Sequence, residues 1–225
     1  MVDAPRGDDP AQDPAVMMLK ELSVEETLLV YAELVEDVPD KADVAALALR
    51  EEGRAGRLAA EHVEVLAACV EMAPNSLCVG HLAKALATLG RRATGAASSL
   101  MARMEPMVVT DDCEYWSFDA CVWALGYLGG ADVGPFLSAL EREDPSRVVR
   151  SQSIYTGAMG TQARQQRFAA ALAGARGLLA QADPGVWRTS FMTVKRVTAT
   201  GQRAGKAWDV RPGKGRGPAT GKPAK

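Results

Sequence analysis

From Ser23 onward, apolar side chains recur every three or four residues, the spacing of helices with one buried face. Leu28, Leu29, Tyr31, Ala32, Leu34 and Val35 outline a first helix, which Pro39 ends. Its start, Ser23-Val24-Glu25-Glu26, has the capping-box pattern, with Ser23 accepting from the third helical amide and Glu26 reaching back. Asp40 then reads as the cap of a short helix through Arg50, with Val44, Leu47 and Ala48 inward and Gly53 and Gly56 as breaks. A third helix is predicted over 57–73, carrying Leu58, Val63, Leu66, Val70 and Met72. Asn75 caps a fourth through Leu89, where Gly90 takes the position that favours a left-handed residue. Two more helices are predicted over 161–181 and 184–199. Runs of Val, Ile, Thr and Tyr with period two are missing, so the pattern predicts an all-α chain.

The middle of the chain repeats itself. Leu82-Ala-Lys-Ala-Leu-Ala-Thr-Leu-Gly90 matches Cys121-Val-Trp-Ala-Leu-Gly-Tyr-Leu-Gly129 at an offset of about 39 residues. Gly157 and Gly160 match Gly126 and Gly129 at an offset of about 31. Such periods signal stacked helix pairs. Small residues at Ala124 and Gly126 let a neighbouring helix come close, Leu125 and Leu128 fill the seam, and the closing glycine allows a sharp turn.

Gly130 to Leu140, then Asp144-Pro145-Ser-Arg147-Val-Val-Arg150, then the segment closing at Gly160, resembles the short bacterial HEAT-like repeat of the phycobilisome-lyase type. Asp144 matches that family's capping Asp, Pro145 its first-turn Pro and Arg150 its helix-start Arg, and Asp183-Pro-Gly-Val-Trp-Arg188 repeats the opening. The resemblance is good over 112–160, fair over 75–104 and 183–199, and poor before residue 70; Ser151 to Thr156 depart from it. It implies an α-solenoid of about five stacked hairpins, with 16–74 as capping helices and 75–200 as repeats. It also implies a binding surface rather than a chemistry.

Composition sets limits on this picture. No apolar stretch reaches the length of a membrane span, and the acidic, Pro-rich start lacks the basic and apolar parts of a secretory signal, so a cytoplasmic location is expected. The four cysteines are irregularly spaced, as free thiols are. Residues 1–15 read as a disordered leader. Residues 201–225 hold six Gly, three Pro and seven Lys or Arg, and read as a disordered basic tail. Net charge is −2, yet residues 1–145 carry about −15 and residues 146–225 about +13. That polarity favours an acidic partner at the C-terminal end, or head-to-tail contact in a homo-oligomer.

Candidate chemistry is thin. Cys78 and His81 share a helical face, but His62 and Cys69 do not complete a metal site at standard spacing, so no metal is expected. Cys113 and Cys121 lack a redox spacing. Asp111, Asp112, Glu114 and Asp119 cluster where carboxylates oppose a helix dipole, and a catalytic role is not expected of them. No phosphate-cradling, dinucleotide, nucleophile-elbow or kinase motif occurs, so neither an enzyme nor a cofactor is expected. Two surfaces stand out. Trp116, Trp123 and Tyr127 form one helical stripe, which serves either hairpin packing or a partner. Arg147, Arg150, Arg164 and Arg188 lead a basic series with Arg167, Arg176, Lys195, Arg196 and Arg203. That series reads either as a solvated face or as a ridge for an anionic partner. The expected function is a non-enzymatic protein–protein interaction module, a scaffold, adaptor or immunity-type protein binding through the concave face of its stack. The alternative is nucleic-acid binding through the C-terminal third and tail.

Overall fold

The computed structural model describes residues 13–105, 112–142 and 161–188, with only the backbone at 112–114 and 161–165. The leader up to residue 12, the repeat copy ending at Gly160, Arg147, Arg150, and everything after Arg188 lie outside the described residues.

Among the described residues all regular structure is helical, and no strand occurs. The α-helices are α1 (Pro14–Leu19), α2 (Val24–Asp37), α3 (Ala42–Arg54), α4 (Val63–Met72), α5 (Ser76–Ala87), α6 (Ala97–Met104), α7 (Asp112–Leu128), α8 (Val133–Arg142) and α9 (Thr161–Leu179). Short 3-10 turns occupy Pro39–Lys41, Ala60–His62 and Gly90–Ala96. None of the described helices is long and apolar enough to cross a membrane.

Local chemistry explains the boundaries. The Ser23 hydroxyl accepts from the Glu26 amide at 3.1 Å, and the Glu26 carboxylate accepts from the Ser23 amide at 2.8 Å, closing the expected box. Ser23→Ala is expected to cost about 1 kcal/mol, read as a lower urea midpoint at unchanged m. Asn75 likewise accepts from the Cys78 amide at 3.0 Å and starts α5. Gly90 at φ +58° and Gly129 at φ +68° supply the left-handed turns expected of them.

Four boundaries differ from the sequence reading. α1 begins at Pro14 inside the expected leader, because Asp13 caps the Ala15 amide and Pro14 takes the first turn. Asp40 caps nothing: Pro39–Lys41 is a 3-10 turn, and α3 starts at Ala42 without a side-chain cap. α3 also runs through Gly53 to Arg54, and the break falls at Gly56, φ +77°. The helix expected over 57–73 begins only after Leu58, since the Ala59 amide donates to His62 Nδ1 and opens a 3-10 turn ahead of α4.

A fifth difference is the largest. Residues 183–188 are not the first turn of a helix but an irregular strap. The Asp183 side chain accepts from the Gly185 amide at 2.8 Å, Gly185 adopts φ +71°, and the Trp187 amide donates to the Ala87 carbonyl at 3.0 Å. That bond caps the end of α5, and the Trp187 side chain is buried, so tertiary burial outweighs the local helix signal.

Packing follows two series. Helices α3, α5, α7 and α9 contact one another in that order, and so do α2, α4, α6 and α8. The series are joined through the pairs α2–α3, α4–α5, α6–α7 and α8–α9. Leu49, Leu82, Leu86, Leu125 and Leu128 are fully buried in the first series. In the second, Leu66 and Leu100 are equally buried, and Tyr31 places its hydroxyl on the Cys69 carbonyl at 3.1 Å.

Small residues set the spacing of the first series. A Cβ added at Gly53 would meet Thr88 at the end of α5, and one at Gly80 would stand 2.9 Å from Cα of Ser117 on α7. At Gly126 it would stand 2.7 Å from Cα of Ala175 on α9. Gly126 thus occupies the close-approach position expected of a small residue there.

Candidate functional site

The first series holds a polar cluster between its helices. Lys84 on α5 is buried, with Nζ 3.9 Å from the centre of the Trp116 ring on α7 and 5.8 Å from that of Trp187 on the strap. Burial and the nearby Arg50 pull its pKa down to about 7, while Asp119 acts the other way. The ring faces also favour the charged amine. Asp119, one turn along α7 from Trp116, is pushed up to about 6 by burial, against the pull of Arg167 and Lys84. The two shifts are of opposite kinds: each environment penalises the charge its group would carry.

Arg50 joins this cluster from α3. Its Nη1 donates to His81 Nδ1 at 3.4 Å, so the ring proton sits on Nε2. Burial, Arg50 and Lys84 drive the His81 pKa down to about 3, and the ring meets Trp116 edge-on at 4.9 Å. Arg50 also binds Glu51 at 2.7 Å, and Glu51 binds Arg54 at 2.9 Å, which makes a shared Arg–Glu–Arg group. Counting Arg50, Arg54 and Lys84 against Glu51 and Asp119, the cluster is cationic within the acidic part of the chain.

The expected aromatic stripe falls mostly into helix packing. Trp116 is half-buried against Gly80, Lys84 and His81, and the half-buried Trp123 ring fills the space above Gly174 of α9. Tyr127 is half-buried, and burial raises its phenol pKa. The stripe therefore splits, with Trp116 facing α5 and Trp123 facing α9. Arg188 is exposed and has no hydrogen bond or ion pair with any described residue. Arg147 and Arg150, and the Arg164 side chain, lie outside the described residues. Arg176, from the same series, ties α9 to α8 through Glu141 at 2.6 Å.

The thiols and the other histidine have separate surroundings. Burial raises Cys69 to about 11, and Cys78 and Cys121 to about 12, which keeps the thiols protonated. His62 binds Glu25 at 3.2 Å. No group of three His, Cys, Asp or Glu side chains among the described residues could hold a metal ion. Of the expected acidic cluster only the Asp119 side chain is described.

Sequence reasoning passed over Lys84 and Arg50. Lys84 stands inside an apolar run, Leu82-Ala-Lys-Ala-Leu86, where a charge has no solvent face to occupy; that was the available signal. No protein-family model, curated protein or solved structure matches this chain. The class its described residues define is an all-α protein of packed helices.

Proposed function

We propose that this chain is a non-catalytic binding module, a HEAT-like α-solenoid that receives an acidic protein segment on the α3–α5–α7 face. The ordered contacts α3–α5–α7–α9 and α2–α4–α6–α8, joined by sequential pairs, support the solenoid reading. The observation that carries the function is a cationic cluster, Lys84 over the Trp116 ring with the charges of Arg50 and Arg54 acting on it. Burial and the nearby Arg50 hold the Lys84 pKa down, and an arriving carboxylate would offset the repulsion. Aromatic rings bearing a cation are also frequent anchors at interfaces.

Alanine at Trp116 or Trp123 is a poor test, because both rings are built into helix packing. Arg54 is exposed, so Arg54→Glu reverses charge at small structural cost. The test is capture by the full chain from lysate of its source, with and without nuclease, wild type beside Arg54→Glu. A protein partner that survives nuclease and is retained about tenfold less by the variant is the expected result. A catch that nuclease removes, equally from both proteins, would end this reading in favour of nucleic acid held by the basic tail.

A further inference from the structure

We propose that the recess between the ends of α1 and α3 and the strap binds a phosphate monoester. The proposal does not rest on the protein-binding reading. The recess has a volume of about 310 Å³ and is lined by Lys20, Glu51, Arg54, Ala55, Arg57 and Arg188. Four of those six residues are cations.

Three of these four cations can be followed individually. Arg57 gives Nε and Nη2 to the buried Glu52 carboxylate, so that pair is neutral and Nη1 remains as a donor. Glu51 is shared by Arg50 and Arg54, and Arg54 uses only Nη1 for it. Arg188 makes no hydrogen bond or ion pair with any described residue. Leaving Lys20 aside, Arg50, Arg54, Arg57 and Arg188 against Glu51 and Glu52 leave a surplus of about two positive charges.

The end of a helix normally opposes an anion through its free carbonyls. Here three of them are occupied. The amides of Ala55, Gly56 and Arg57 donate to the carbonyls of Glu51, Gly53 and Glu52, and Gly56 at φ +77° makes that closure. What faces the recess is donors on three guanidinium groups and an ammonium. A carboxylate offers two oxygens and one charge, and a phosphodiester also carries one charge. A monoester dianion brings three terminal oxygens, which matches both the charge and the number of donors.

A second recess of about 490 Å³ shares the Arg188 wall and is lined in part by Leu89 and Val186. It leaves room for the esterified group beside the phosphate.

The test is calorimetric titration of the full chain with glycerol 3-phosphate at fixed ionic strength, with dimethyl phosphate and acetate as comparators. Saturable one-to-one binding is expected, at least about tenfold tighter than either comparator. Lys20→Gln with Arg188→Gln should weaken it about tenfold or more while circular dichroism stays unchanged. Neither residue belongs to the cluster about Lys84, so this variant should still capture a protein partner that binds there. Absence of saturable binding, a diester bound as tightly as the monoester, or an unchanged affinity in the double variant would each overturn the proposal.

Discussion

Gly126→Val is expected to lower the unfolding free energy by about 3 kcal/mol, measured by urea denaturation. A Cβ at this position would stand 2.7 Å from Cα and 2.9 Å from the carbonyl oxygen of Ala175. The obstacle is backbone, which cannot rotate away as a side-chain tip can, so α7 and α9 must separate. That separation opens gaps along the rest of the interface, including the one the Trp123 ring fills at Gly174. Gly134→Ala on α8, beside Gly126→Ala, is the matched comparison. Nothing lies within 4 Å of a Cβ at Gly134, and φ is not left-handed. There the same kind of change should raise stability by about 0.5–1 kcal/mol through helix propensity. Two losses of similar size would refute the close-approach account of Gly126.

Lys84→Met should be more stable than wild type at pH 7 and below, and the advantage should shrink as pH rises. The folded pKa of Lys84, about 7, lies below its unfolded value near 10.5. Between these values the unfolded chain binds the extra proton, so wild-type stability rises with pH through that window. The slope of the difference is at most about 1.4 kcal/mol per pH unit. Below pH 7 the amine is charged in both states, and the full burial cost applies. Methionine fills a comparable space against the two indole rings without a charge. The three buried thiols, held at about 11 to 12, titrate in both proteins and cancel in the comparison. Asp119, raised to about 6, affects stability below this window. A difference that stayed flat from pH 7 to 10 would mean the ring faces hold Lys84 charged throughout.

Elements that rest on local chemistry could be read from the chain. The box at Ser23 and Glu26, the Asn75 cap, the left-handed Gly90 and Gly129, and the small residue at Gly126 depend on near neighbours in sequence or on the absence of a side chain. The strap could not be read that way. Asp183-Pro-Gly-Val-Trp has good helix-start letters, and only the distant Ala87 carbonyl and a buried place for Trp187 reveal its use. Gly53 misled for a related reason: a glycine inside a helix looks like a break unless the facing Thr88 is known. The candidate site was half legible. Trp116 was visible as part of a stripe, but the cation over its ring, Lys84, lies on α5, which no sequence spacing connects to α7.

The strap has a further bearing on how the protein unfolds. Helices that touch mainly their neighbours in a series can melt one at a time from an end, with an early, shallow transition. The strap breaks that pattern by returning from the end of α9 to the end of α5, past α7. Arg91, just beyond α5, holds the same closure by donating to the carbonyls of Leu178 and Gln181 at 3.0 and 3.2 Å. Releasing α9 alone would therefore also uncap α5 and expose Trp187. Circular dichroism and tryptophan fluorescence should then report one coincident transition over the span from α5 to the strap.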